Sequence, residues 1–376
     1  MNETYRYTLE LFRPDGTAVG QVALDEPLAI DWVPAEEWVR FQAIRRSGAS
    51  GGGRGEIATP SVEPIWHTKL REPYLAGFRV SVSTGDTVTA SEFGTDYFRS
   101  LVERATVHFV AKGALTEGER VVYVAAAFPR AAQRVAAQHA GVTAHDVSVP
   151  LRLRDSRLDE FARGCPAVGA ASADDMPVLV PQQVLDEAAS LARGAGECET
   201  GGILIGHLHR DAASRDVFAE ITAQIPARHT AATSSRLTFT AETWTDVRAA
   251  IALRRSDEAM LGWWHSHPVR VWCRNCSTEK QAVCPLAAGF FSEQDRALHR
   301  AVFPAAYSVG LLVNDVSWGP TFSLFGWQRG VLAPRGFLLT GATGGAIVSG
   351  DEATGLVPCG EGDRSHDDAQ YTTAGR

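Results

Sequence analysis

Lysine is almost missing from this chain: among 36 basic residues only Lys69, Lys112 and Lys280 are lysine, and the rest are arginine. GC-rich coding produces that bias, which points to a bacterial source. Basic residues are outnumbered by 44 acidic ones, and the net charge of −8 argues against a general binder of phosphate backbones. Six cysteines in 376 residues are too sparse for a disulfide scaffold. No apolar run approaches the ~20 residues of a membrane span. The longest candidate, Ala301 to Val313, is interrupted by Pro304. The polar start, Met1 to Arg6, carries no basic-then-apolar signal pattern. A cytoplasmic location is the expectation, with neither membrane nor nucleic acid as partner.

What is present is an ordinary globular composition, 45% hydrophobic and 21% charged, in a chain long enough for two domains. Residues 1–150 read as a mixed α/β domain. Tyr5, Tyr7, Leu9 and Leu11 alternate into a hairpin turned at Pro14-Asp15-Gly16. Phe78 to Val82 alternates as a strand, Asp96 to Ala111 has helical spacing, and Val121 to Phe128 is a short buried strand. Ser47 to Gly55 is a glycine-rich loop. No cysteine precedes Cys165, which excludes a thioester-carrying role for this half.

Residues 151–175, polar and rich in Ala and Gly, are expected to be a linker. Beyond it, 176–331 form a second domain, and 332–376 an extension ending in a disordered tail from Asp351. Within the second domain, Pro181 and Gly194 bracket a helix through Val184, Leu185, Ala188 and Leu191. Ile203 to Ile205, Val217 to Ile225 and Leu237 to Phe239 read as strands, and Thr240 precedes a helix over 241–254.

The chemistry-bearing residues lie in three places. Met260 to Trp264 is a strand that runs into His265-Ser266-His267-Pro268, and histidines two apart on a strand point the same way. Ser292-Glu293-Gln294-Asp295 opens a helix, with Ser292 as a good N-cap. Glu199 precedes Gly201-Gly202 and a buried strand. Two histidines and a carboxylate are three N/O ligands suited to zinc, with a position left for water. A further glutamate can take a proton from that water and deliver it to a leaving amine, and a serine hydroxyl can support an oxyanion.

The order ETGGILIG, GWWHSHP, SEQD resembles the JAMM motif of the MPN-domain metalloproteases, the zinc-dependent deubiquitinase and isopeptidase family. The similarity spans about 176–330. It implies a cytidine-deaminase-like mixed sheet flanked by helices, and zinc held by His265, His267 and Asp295. It implies Glu199 as general base and acid, and Ser292 as oxyanion support. The implied substrate is the peptide or isopeptide bond at the C-terminus of a ubiquitin-like protein. Activating or conjugating enzymes would be companions in a bacterial conjugation system, one suited to antiviral defence. A catalytically silent MPN scaffold and a small-peptide or sulfur-carrier hydrolase are the alternatives.

The chain departs from the family in the segment between the histidines and the aspartate. The 23 residues Val269 to Phe291 separate Pro268 from Ser292, where the family has a short run. The Cys-rich insert, 269–286, holds Cys273, Cys276 and Cys284, and the CxxC spacing suits a second, structural zinc. Its fourth ligand is open among Cys198, His299 and Cys359. His207 and His209 form another HxH and read as exposed loop residues without an acid nearby. His299, four residues after Asp295, either orients the site or lies at the surface. Trp263 and Trp264 are expected to divide between core and cleft wall.

Overall fold

The computed structural model describes residues 5–25, 27–46, 60–84, 87–129, 151–172, 174–277, 279–280 and 284–341. The chain is a mixed α/β protein that divides into two compact units. One comprises Met1–Leu151 with Arg329–Val331, and the other Arg152–Gln328 with Leu332–Arg376. Among the described residues no helix is long and apolar enough to cross a membrane.

The first unit holds two three-stranded sheets. β1 (Tyr5–Phe12) lies between β2 (Ala18–Ala23) and β6 (Val122–Pro129); β3 (Ser61–Trp66), β4 (Leu75–Thr84) and β5 (Thr87–Gly94) form a meander. Helix α1 (Val33–Arg46), which local periodicity does not announce, packs on β4 and β5. Its start is set by Pro34 in the first turn and by the Asp31 carboxylate, which accepts from the Val33 amide at 3.1 Å. The helix expected over 96–111 divides into a 3-10 turn, Thr95–Phe98, and α2 (Arg99–Ala111). Aromatic rings fill the core: Trp32 meets Phe78 edge-on at 4.8 Å, and Phe78 stacks on Phe93 at 5.0 Å. The Ser47 to Gly55 loop lies outside the described residues.

The second unit is built on one ten-stranded sheet. Its centre is β10 (Gly201–Asp211), flanked by β11 (Val217–Pro226) on one side and β14 (Ala259–His267) on the other, both antiparallel. Beyond β14 come β15 (Val309–Val316), parallel to it, then β16 (Gly319–Gln328) and β17 (Val331–Arg335). Beyond β11 come β9 (Val178–Pro181), β18 (Phe337–Thr340) and β8 (Ala167–Val168). Every residue of β10 and β15 is buried, as expected of strands covered on both faces.

Two boundaries expected from composition are corrected here. Residues 151–175 are not a free linker: β7 (Leu153–Ser156) runs parallel to β10, helix α3 (Leu158–Ala162) follows, and β8 pairs with β18. Residues 332–341 are not an extension, because β17 and β18 belong to the same sheet. The tail from Asp351 lies outside the described residues.

Strand alternation divides the environment of β14 in two. Trp263, with His265 and His267 two and four residues on, faces a core of Ile203, Ile205, Phe239, Val247, Phe291 and Phe303. That core is closed by α5 (Ala241–Arg254) and by α7 (Glu293–Val302). Trp264 points the other way, toward α4 (Gln182–Gly194), where its indole donates to Gln224 at 3.1 Å and Gln224 in turn donates to Glu187. Both tryptophans are fully buried, so neither is an open cleft wall.

Candidate metal centre

The site forms where three sequence-distant segments meet at the end of β14. Gly201 pairs with His265 across β10 and β14. A Cβ on Gly201 would lie 2.4 Å from the Trp264 carbonyl oxygen, and one on Gly202 would lie 2.5 Å from that of Ile225. Only glycine allows this approach, which brings Thr200 and Glu199 alongside the histidines. The Ser266 amide donates to the Thr200 carbonyl at 2.8 Å, and the Thr200 amide donates to the Ser266 hydroxyl at 3.0 Å. The middle residue of the HxH thus fastens the Glu199 segment. The Glu199 amide is held by Thr233, in the loop between β12 (Thr230–Ala232) and β13 (Leu237–Phe239).

Asp295 is set by its helix. Ser292 and Asp295 form a capping box at the start of α7, an aspartate standing where Glu or Gln is usual. The Ser292 amide and hydroxyl both donate to Asp295 Oδ2 at 2.7 Å. The other oxygen, Oδ1, lies 3.4 Å from His265 Nε2. His265 Nε2 is 3.2 Å from His267 Nε2, and His267 Nε2 is 4.0 Å from Asp295 Oδ2. Among the described residues these three side chains are the one group that could hold a metal ion, and all three are buried. Glu199 adds a second carboxylate, its Oε1 3.9 Å from His267 Nε2.

This donor set fits a cation. Ligands about 2.0–2.1 Å from one tetrahedral zinc lie roughly 3.3 Å apart, close to the 3.2 and 3.4 Å separations found here. The Nδ1 atoms of both histidines are buried without a partner. If the protons sit on Nδ1, two Nε2 lone pairs face each other; if one Nε2 donates to the other, a bare nitrogen is buried instead. A cation shared by the Nε2 atoms resolves the first arrangement.

The electrostatics follow from burial. Burial pushes Glu199 up to about 8, reinforced by Asp295 and opposed by His265. Burial and the neighbouring His265 push His267 down to about 3. For His265, burial acts downward, but the Asp295 and Glu199 carboxylates outweigh it and raise the imidazole. For Asp295, burial acts upward and is outweighed by His265 and Ser292, which hold the carboxyl far below its usual range.

The side chains packed around the histidines are aromatic. Trp263 stacks on His265 with ring centres 4.7 Å apart. His267 contacts the ring of Trp272, at 4.9 Å in helix α6 (Val269–Trp272), and that of Phe290, at 5.0 Å. The Trp272 indole donates to the Ser234 carbonyl at 2.7 Å, joining the insert to the β12–β13 loop. Trp272 and Phe290 were not singled out from sequence as part of the site; Trp263, expected with Trp264 to divide between core and cleft wall, lies fully buried against His265.

The remaining candidates have different places. Ser292 contacts Asp295 and so positions a ligand. His299 is fully buried, its Nδ1 accepting from the Trp263 indole at 3.0 Å, so it is neither a surface residue nor turned toward the cysteines. His207 and His209 are buried in β10, not exposed in a loop. An acid does lie close: His209 Nε2 is 3.0 Å from Glu220 Oε2, and its Nδ1 is 2.8 Å from the Ser156 hydroxyl. Of the cysteine trio, Cys273 and Cys284 lie sulfur to sulfur at 3.7 Å, while Cys276 is exposed. Cys198 is buried and Cys359 lies outside the described residues.

No protein-family description matches the chain, and no curated protein matches it. Among solved structures, the solution structure of a Desulfitobacterium hafniense protein aligns with 18% identity over 43% of this chain and 92% of its own, with a TM-score of 0.29.

Proposed function

We propose that the second unit is a zinc-dependent isopeptidase or peptidase that cleaves at the C-terminus of a ubiquitin-like protein. The observation that carries the hydrolytic part is the convergence of His265, His267 and Asp295 beside a second buried carboxylate, Glu199. The residue order and the sequence around each of these positions resemble the JAMM metalloproteases, and the substrate class rests on that resemblance. His265, His267 and Asp295 would hold the ion, and its chemistry would be Lewis-acid polarisation of a carbonyl together with acidification of a water.

The chain's own groups divide the remaining work. Glu199 is the proton carrier: a carboxylate whose affinity for a proton is raised toward neutrality by burial can accept one and return it to an amine. Ser292 ties up Asp295 Oδ2, which keeps Oδ1 turned toward His265. Thr200 and Ser266 keep the carrier in register with the ligands. Trp272 and Phe290, packed against His267, limit water around the reacting bond.

The test is cleavage of a fluorogenic amide joined to the C-terminal glycine of a panel of folded ubiquitin-like domains, alongside the matching C-terminal peptides. Metal-dependent cleavage of a folded substrate in preference to its peptide supports the reading. Preference for the peptides would point to a small-peptide hydrolase, and bound metal without any amide cleavage to a silent scaffold.

A further inference from the structure

His299 is not a ligand of the metal centre, yet it joins the two elements that carry the ligands. We propose that His299 is a positioning residue of that centre: through the Trp263 indole it fixes where Asp295 on α7 stands against His265 on β14. The inference rests on the reading of His265, His267 and Asp295 as metal ligands, and on no reaction at the ion.

α7 and β14 meet at two points. At one, Asp295 Oδ1 lies 3.4 Å from His265 Nε2. At the other, the Trp263 indole donates to His299 Nδ1 at 3.0 Å. Four residues of helix rise about 6 Å, and two residues of strand about 6.7 Å. The spacings match, so both contacts form together with the helix running against the strand. Two contacts fix both the slide and the rotation of a helix on a sheet, where one leaves the rotation free. The His299 contact is a hydrogen bond between protein groups, so it sets this register whether or not an ion is bound.

The indole carries the effect to the ligand itself. Trp263 lies flat on the His265 imidazole, with ring centres 4.7 Å apart and planes 13° from parallel. Holding the indole N–H therefore holds the surface on which His265 rests.

For stability alone, the imidazole is a poor choice. His299 is fully buried, with its ring centre 5.3 Å from that of Trp327 and 6.0 Å from that of Phe303. Burial pushes it down to about 3, so the ring is neutral. With Nδ1 accepting, its proton sits on Nε2, which is buried without a partner. An unpaired buried donor opposes folding. Leucine would fill the same place without that cost, and what the imidazole adds is the acceptor for Trp263. The end of α7 is docked separately, by the Trp327 indole donating to the Phe303 carbonyl at 2.8 Å.

The experiment measures zinc affinity of the full-length protein by competition with a chromogenic chelator, and the unfolding temperature of the same chains without metal. Wild type is compared with His299→Leu, His299→Asn, Trp263→Phe, the His299→Leu/Trp263→Phe pair, and His265→Ala, which marks uptake outside the site. Affinity is expected to fall about tenfold in His299→Leu and in Trp263→Phe, and no further in the pair, because either change already breaks the one contact. Asparagine places its Oδ1 where Nδ1 stood, so His299→Asn is expected to bind within about twofold of wild type. The metal-free pair should unfold no lower than either single variant, which separates positioning from packing. Trp263→Phe makes the same test from the other partner if the leucine chain does not fold. Unchanged affinity in His299→Leu or in Trp263→Phe, losses that add in the pair, or His299→Asn as weak as His299→Leu would overturn the proposal. Equal zinc uptake by wild type and His265→Ala would instead remove the metal reading, and this inference with it.

Discussion

Ser292 holds Asp295 by a single oxygen: its amide and its hydroxyl both donate to Oδ2 at 2.7 Å, and Oδ1 is left facing His265 Nε2. The same contacts cap helix α7. One residue therefore sets both the start of a helix and the aim of a metal ligand.

Replacing Ser292 by Ala removes the hydroxyl donor and leaves the amide. The helix loses about 1 kcal/mol of capping stability, and affinity at the His265–His267–Asp295 site falls about 10- to 100-fold, as for loss of a group that orients a ligand. Chelator competition gives the affinity and thermal unfolding gives the stability. Unchanged affinity would reduce Ser292 to a helix cap.

Gly202→Ala tests the close approach of β10 to its neighbours. The added methyl meets the Ile225 carbonyl at 2.5 Å and the Trp264 indole nitrogen at 2.6 Å. Backbone cannot give way as a side-chain tip can, so a loss of about 1–3 kcal/mol is expected, with weaker metal retention as Glu199 and Thr200 shift. Urea unfolding with and without added zinc measures both. A variant as stable as wild type would show that the strands separate at little cost.

Glu258 gives a pH signature away from the site. Hydrogen bonds from Arg254 lower its carboxyl from the ordinary 4.5 to about 2; burial opposes the shift, and Ser256 and Thr222 add to it. Arg254 makes two contacts, at 2.5 and 2.8 Å. Because the folded pKa lies below the unfolded one, the stabilisation is complete above about 4.5 and is lost as pH falls toward 2. Wild type should exceed Glu258→Gln in urea midpoint at neutral pH, and the gap should close across that acid window. A gap independent of pH would assign the effect to packing instead of charge.

The site was more legible in the sequence than the sheet was. His265 and His267 stand on a strand end, Ser292 starts a helix, and Gly201-Gly202 opens a buried strand; each is a local signal in a short window. β7, β8 and β18 carried no such signal, because strands of two to four residues reveal themselves only through distant partners, β7 against β10 and β8 against β18. The same limit misplaced His207 and His209. β10 continues six residues past the apolar run ending at Ile205, and Glu220 and Ser156, from two neighbouring strands, satisfy His209 where it is buried. Helix α1 was hidden because it buries Glu36 and Gln42 along with its apolar residues, which blurs the amphipathic period. In the insert, the CxxC spacing was plain, but only the fold brings Cys284 to within 3.7 Å of Cys273.

The most direct measurement is amide cleavage by Glu199→Gln with bound metal counted in the same sample. Glutamine keeps the shape of the side chain and removes its capacity to carry a proton, and it leaves His265, His267 and Asp295 in place. The account predicts metal content equal to wild type, an unfolding temperature no lower, and cleavage of the ubiquitin-like amide reduced about 10²–10⁴-fold. Undiminished cleavage by the metal-loaded variant would contradict it.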